Sequence, residues 1–468
     1  MPYLFSIEQL IAATGGRAEN IHAETISSVS IDSRSVKEGA LYVAIKGDRF
    51  DGHGFVHKSV VNGAVVALVA KDKSRDLAGL PLIIVDDPLT SLGDIARAAR
   101  ARSTAKIIAV TGSAGKTTTK SMLQGVLQRA GATHASIKSY NNHWGVPLML
   151  ANMPPSAEFG VFEIGMNHSG EISPLSKLVR PHVAVVTNVG TAHIGNFNNM
   201  AEIAAAKAEI LDGIEPGGVA IVNMDHPHFD VFKRKAESRS DVELMSYGFS
   251  KSADVGIYDY RARENGARAQ ARFGAVNVNL DLSIPGEHMI SNGVGVMCAA
   301  EAVGVGFETI VEGLAEFSAS AGRGQIIELG GSQRPLIVID ESYNANPDSM
   351  KVALAQFASR SANGGKKILV LGDMLELGSR SKGLHADLIE EIAATGVEQL
   401  VLVGEKMQAL GGELSRDIDV CGVGDVNEIG EAFVNNLAVG DLIMVKGSNG
   451  IGLSQLVDAI SKRFRAAD

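Results

Sequence analysis

One short stretch limits what this chain can fold into: Thr111-Gly112-Ser113-Ala114-Gly115-Lys116-Thr117-Thr118-Thr119-Lys120. It follows the apolar run Ile107-Ile108-Ala109-Val110, which reads as a buried parallel strand. It precedes Met122, Leu123, Val126 and Leu127, spaced as one face of a helix. Strand, glycine loop, lysine–threonine and helix together are the layout of a phosphate cradle. Glycines admit backbone N–H groups close to phosphate oxygens, and a helix N-terminus favours their negative charge. Lys116 is placed to reach terminal phosphates and the Thr117 hydroxyl to ligate Mg²⁺. The common spacing wants a glycine at Val110, and Gly112 takes that role in a tighter loop. A glycine–serine turn with an accidental Gly-Lys-Thr is the alternative, and the flanking strand and helix argue against it.

At 468 residues the chain is long for one core, so two to four domains are expected. The formal charge of −10 argues against non-specific nucleic-acid binding but not against a local nucleotide site. The two cysteines, Cys298 in an alanine-rich helix and Cys421 at the end of a strand-like run, are expected to be buried thiols. No basic-then-apolar leader stands at the N-terminus and no apolar run is long enough to span a bilayer, so a cytoplasmic protein without membrane insertion is expected.

Three regions separate. Residues 1–85 hold short strands such as 41–45, 65–69 and 82–85, and end at Asp86-Asp87-Pro88, which reads as a linker. Residues 86–321 carry the phosphate loop and strand candidates at 161–164, 183–187, 219–222 and 276–280. Residues 322–468, from Gly322-Arg323-Gly324 onward, alternate strands at 336–339, 368–371, 400–403 and 442–445 with helical segments. That is a doubly wound α/β pattern, and the near-continuous apolar runs of the middle region suggest a parallel sheet covered on both faces.

Ligands of such sheets bind beyond the strand C-termini. Glu163 and His193 both fall there and are candidate Mg²⁺ ligands. Lys207, in a helical alanine-rich stretch, reads on its own as a solvated lysine. In the third region Asp340 to Pro347, Gly372 to Gly378 and Lys446 to Gly450 each follow a strand. Any one such loop is a turn plus helix cap, and three together suggest a ligand face.

Taken in order, the phosphate loop, Glu163, the His193 loop, Lys207, Asn292, Arg323 and Asp340 resemble the Mur ligase family of bacterial cell-wall synthesis. Longer matches are Asn141 to Leu148, Ser342 to Met350 and Leu371 to Gly378, with Asp32-Ser33-Arg34, Lys46-Gly47-Asp48 and Asp51-Gly52-His53 near the N-terminus. The resemblance implies three domains: a small N-terminal UDP-substrate domain, a central phosphate-loop ATPase domain and a C-terminal Rossmann-like domain. It implies a C–N bond-forming, ATP-dependent ligase that joins D-alanyl-D-alanine to UDP-N-acetylmuramoyl-tripeptide through an acyl phosphate. Gly112, Ser113, Ala114, Gly115, Lys116, Thr117 and Thr118 would then hold ATP, with Asn292 at adenine, Asp340 at ribose and Arg323 at the γ-phosphate. Two Mg²⁺ ions are implied, on Thr117, Glu163, His193 and a carbamylated Lys207. Substrate contacts are implied at Ser33, Arg34, Lys46, Asp51, His53, Asn141, Asn142, Asn344, Asn346 and Asp373, and a monomer is expected. One departure stands out: Gly286-Glu287-His288-Met289-Ile290-Ser291-Asn292 has Met289 where the family often has asparagine, and a thioether lacks the amide's paired donor and acceptor. A sister ligase for a diamino acid usually carries Asp-Asn-Pro-Arg, which is absent here. A folate-type polyglutamate ligase would lack the third-region loops, and an ATP-hydrolysing switch would need neither those loops nor Lys207.

Overall fold

The apolar runs become the inner strands of three sheets in a computed structural model that describes residues 3–465 except 48–49, 138, 264–265, 332 and 415. Asp48 of the Lys46–Asp48 motif lies outside the described residues.

The first sheet has strand order Arg17–Glu19, Leu82–Val85, Ala64–Ala70, Ala40–Val43, Ser28–Ser30. Only Arg17–Glu19 runs antiparallel to its neighbour. Asp86-Asp87-Pro88 is not a free linker. Asp87 accepts hydrogen bonds from the N–H groups of Leu89 and Thr90, and Pro88 opens helix Pro88–Arg102. That is strong N-terminal chemistry: an acidic cap followed by a residue whose missing N–H would have had no partner anyway. The helix lies against strands Ala40–Val43 and Ala64–Ala70 on one side and helices Gly145–Ala151 and Ile172–Val179 on the other.

The central sheet has nine strands, ordered Val276–Leu282, Gly266–Phe273, Val255–Arg263, Val242–Gly248, Gly218–Asn223, Val183–Val186, Lys106–Thr111, Phe159–Glu163, Thr133–Ala135. The strands from Thr133–Ala135 to Val255–Arg263 are parallel, as expected of buried apolar runs. The last two pair antiparallel as a meander. Their alternating residues leave one face wet, so they lack the continuous apolar signature of the others. Helix Lys116–Ala130 buries Met122, Leu123, Val126 and Leu127, each 0% exposed, against helices Glu287–Ala302 and Phe307–Ala315. Truncating one such leucine to alanine costs about 2–5 kcal/mol.

The C-terminal sheet runs Gln325–Leu329, Leu336–Glu341, Leu442–Lys446, Lys367–Gly372, Gln399–Val403, Asp419–Val423, parallel except for Gln325–Leu329. Cys298 is buried, but Cys421 is exposed because its strand is the sheet edge. One apolar core reaches from Leu4 to Met444 and so ties the three regions together. Among the described residues no helix is long and apolar enough to cross a membrane.

Candidate active site

Strands Lys106–Thr111, Phe159–Glu163 and Val183–Val186 are neighbours in register, which brings Thr111, Glu163 and the loop after Val186 to one edge. That loop clamps the phosphate loop. Asn188 Oδ1 accepts from Ala114 N at 2.8 Å and Asn188 O from Ser113 N at 3.1 Å. Ser113 Oγ donates to Gly190 O at 2.9 Å and accepts from Gly190 N at 2.8 Å. Gly112 sits at φ +152°, and a Cβ there would lie 1.9 Å from Thr187 Oγ1. Only glycine fits so tight an approach, which explains why the first glycine is displaced to this position. The N–H groups of Lys116, Thr117 and Thr118 head the helix Lys116–Ala130 and face outward as its uncapped N-terminus.

Around these donors the side chains form a cationic basin. Lys116 Nζ donates to Gly112 O at 2.7 Å. Burial lowers its pKa, Glu163 opposes that shift and Arg323 adds to it. Lys120 shows the same pattern, with Nζ donating to Ser136 O at 2.8 Å. Lys207 is 2% exposed. Burial, then Lys116, drives its pKa well below the usual lysine value, and no carboxylate among the described residues opposes the shift. The solvated lysine expected from Lys207 in isolation is therefore not what the fold makes. Arg323 comes from the C-terminal domain, lies 4.2 Å over the Tyr343 ring and donates to Ser139 Oγ at 3.2 Å. Lys120 was not singled out in the sequence, yet it lies four residues after Lys116 and hence on the same helix face.

The Glu163 carboxylate faces Lys116 and Lys120. Glu163 is 1% exposed, with Oε2 accepting from Thr117 Oγ1 and Oε1 from Asn141 Nδ2, both at 2.7 Å. Thr117 and Glu163 thus offer a hydroxyl and a carboxylate side by side, a donor set that fits Mg²⁺ completed by phosphate and water. Among the described residues no three or more His, Cys, Asp or Glu gather into an all-protein cage. His193 turns toward the C-terminal domain: Nδ1 lies 2.6 Å from Glu376 Oε2. The two form an ion-pair contact, although Nδ1 has no hydrogen bond of good geometry. Contact with His193 holds the Glu376 carboxyl below its usual range.

Several expected ligand residues also make hydrogen bonds or close contacts within the fold. Asp340 Oδ2 accepts from Gly322 N at 2.6 Å and Oδ1 from Ser342 Oγ at 2.6 Å, so its carboxylate pins the interdomain junction. Asn292 packs against Gly115 of the phosphate loop, with Oδ1 2.8 Å from where a Cβ would stand. His53 is satisfied at both nitrogens: Ala70 N donates to Nε2 at 2.9 Å and Nδ1 meets Asp51 Oδ1 at 2.6 Å. Asn142 Oδ1 accepts from Gly145 N at 2.9 Å, at the start of a helix. Asn346 caps helix Pro347–Ala358 in a capping box with Ser349. Asp373 is 8% exposed and accepts from Met407 N at 2.7 Å. At these positions Asn and Asp act as caps and turn ligands, because strand-end loops must supply their own hydrogen bonds. Lys46 and Asn344 remain exposed, and the buried Lys446 holds the Asn344 carbonyl at 3.0 Å. Arg34 pairs with Asp32 at 2.7 Å while 80% exposed, and Ser33 is buried with its carbonyl taken by Asn62.

Comparison with known proteins places this geometry. Residues 25–100, 110–300 and 322–449 match, in order, the family descriptions "Mur ligase family, catalytic domain", "Mur ligase middle domain" and "Mur ligase, glutamate ligase domain". The UDP-N-acetylmuramoyl-tripeptide–D-alanyl-D-alanine ligase of Rickettsia prowazekii (strain Madrid E) is 32% identical over 439 residues, 92% of this chain and 94% of the relative. The crystal structure of MurF from Acinetobacter baumannii superposes with a TM-score of 0.84 at 32% identity, covering 98% of this chain and 99% of that one. MurF from Thermotoga maritima, solved in complex with ADP, shares the fold at 24% identity and a TM-score of 0.76, covering 94% and 98% of the two chains. With three of its domains matched in sequence order and a relative this similar over nearly all of both chains, the chain belongs to the Mur ligase family.

Proposed function

We propose that this chain joins D-alanyl-D-alanine to UDP-N-acetylmuramoyl-tripeptide, releasing ADP and phosphate and yielding the UDP-linked pentapeptide used for peptidoglycan. The observation that carries the reading is the basin itself: Lys116 and Lys120 beside Glu163 and Arg323, with Lys207 buried next to Lys116, in a protein of net charge −10. Such a basin suits a triphosphate approached by a second anion, which is what carboxylate activation by ATP demands.

In this reading the free carboxylate of the tripeptide attacks the γ-phosphorus and ADP departs, leaving an acyl phosphate. The amine of D-alanyl-D-alanine adds to the acyl carbon and phosphate leaves, forming the amide. Lys116 and the helix N–H groups hold the phosphates and screen the attack. Arg323 brings the charge of the C-terminal domain to the transferred phosphoryl group. Thr117 and Glu163 would hold one Mg²⁺ ion and His193 a second. Bound Mg²⁺ would supply positive charge between the two anions. The depressed pKa of Lys207 keeps a share of its amine neutral, the form that reacts with carbon dioxide. Carbamylated, Lys207 would exchange an uncompensated buried cation for an anion facing Lys116 and the second ion. Asn344 and Lys46, both exposed, remain candidates for the amine-substrate and UDP-substrate ends. The nucleotide substrates suit a cytoplasmic enzyme, taken here as a monomer. Phosphate release that requires ATP, UDP-tripeptide and D-alanyl-D-alanine together tests the reading. Equal release without either acceptor would instead favour a nucleotide switch.

A further inference from the structure

Asp348 is the second residue of helix Pro347–Ala358, whose start is already closed by the Asn346–Ser349 capping box. An acid in a first helical turn is ordinary, and the chemistry above gives it no task. Its carboxylate nevertheless leaves its own domain. Oδ2 accepts from Thr191 N at 2.8 Å and from Thr191 Oγ1 at 3.0 Å, across the boundary with the central domain. Thr191 follows Gly190, the residue that Ser113 of the phosphate loop grips through both its N–H and its carbonyl. A Cβ on Gly190 would stand 2.5 Å from Asp348 Oδ2 and 3.5 Å from Ser113 Cβ. Gly190 thus lies between the carboxylate, which approaches closely, and the phosphate loop, which is at ordinary contact distance. Gly190 is absent from the residues with positive φ, so a side chain there would be opposed by the Asp348 carboxylate and not by backbone strain.

We propose that Asp348 is a positioning residue that couples docking of the C-terminal domain to the shape of the phosphate loop. The link runs from the Asp348 carboxylate through Thr191 and Gly190 to Ser113, and it holds the loop in its nucleotide-binding form only when helix Pro347–Ala358 is seated. Two further contacts, His193 with Glu376 and Arg380 Nη2 with Asn198 O at 3.0 Å, keep the domains together without it. Removing Asp348 thus loosens the loop without undocking the domain. The inference rests on the ligase reading for the identity of the bound nucleotide, and its test reads nucleotide affinity rather than ligation.

The experiment is calorimetric titration of full-length protein with Mg–ADP for wild type, Asp348→Ala, Asp348→Asn and Gly190→Ala, alongside urea unfolding. Asp348→Ala should weaken ADP about fivefold, about 1 kcal/mol at 1.4 kcal/mol per decade, with an unchanged unfolding midpoint. Asp348→Asn, whose amide oxygen can still accept both bonds, should stay within about twofold of wild type. Gly190→Ala, which drives a methyl between carboxylate and loop, should weaken ADP at least as much as Asp348→Ala. Wild-type affinity in Asp348→Ala, equal losses in the alanine and asparagine variants, or a loss matched by destabilisation would overturn the proposal. A wild-type protein that binds ADP yet makes no amide would sink the ligase reading and leave the Asp348 comparison intact.

Discussion

Replacing Lys207 with methionine should stabilise the protein at neutral pH while abolishing ligation. Methionine matches the length of the aliphatic stem and fills the same buried volume. What it removes is an ammonium that burial and Lys116 both disfavour. The sign follows from linkage. The folded-state pKa of Lys207 lies well below the unfolded value of about 10.4, so the unfolded chain binds the extra proton. That cost to the folded state is absent above pH about 10.4 and grows by about 1.4 kcal/mol for each pH unit below it, until the folded pKa is reached. Urea unfolding of both proteins in carbonate-free buffer between pH 8 and 10 reads the effect as the difference between them, so groups shared by both cancel. The variant should be the more stable at pH 8, with the gap closing as pH rises. Added bicarbonate should shrink the gap at fixed pH by converting the lysine to its carbamate. A gap that is flat with pH, or one that widens upward, would refute the depressed pKa and with it the argument for carbamylation.

Three further outcomes are expected. Gly112→Ala should suppress ATP turnover at least tenfold, because its Cβ collides with Thr187 Oγ1 at a backbone position that costs side-chain residues about 1–3 kcal/mol. Stopped assays of phosphate release measure it, and turnover near wild type would mean the loop geometry is wrong. His53→Ala should destabilise by about 1–3 kcal/mol by orphaning Ala70 N–H and the Asp51 carboxylate, which urea unfolding reads. If His53 instead contacts the UDP end, stability would hold while the KM for the UDP-substrate rose. Asn346→Ala should cost about 1 kcal/mol as a lost helix cap. A large kcat loss at unchanged stability would return Asn346 to the substrate.

The inner strands were legible because burial on both faces forces continuous apolar runs, as at Ile107 to Val110 and Val183 to Val186. The meander from Val255 to Leu282 was only partly legible, since its exposed face interrupts the pattern with Arg261, Arg268 and Asn279. The phosphate loop was readable as a motif, but the reason for its odd glycine was not. Thr187 comes from a distant strand end and meets Gly112 only in the fold. Polar loop residues were the least readable. Asp340, Asn346 and Asp373 have the same composition whether they cap a helix or hold a ligand, and only their partners decide. Lys207 shows the converse: a helical lysine that looks solvated is buried, along with its neighbours Ile203, Ala204, Ala206 and Ala208.

The central claim is that a substrate carboxylate, not water, takes the γ-phosphoryl group in the basin of Lys116, Lys120, Lys207 and Arg323. It is tested most directly by labelling both oxygens of that UDP-tripeptide carboxylate with ¹⁸O and weighing the phosphate released on ligation. An acyl phosphate is cleaved between carbon and the bridging oxygen, so each released phosphate should carry one ¹⁸O and the amide product should keep the other. Phosphate free of label, formed while amide accumulates, would contradict the account.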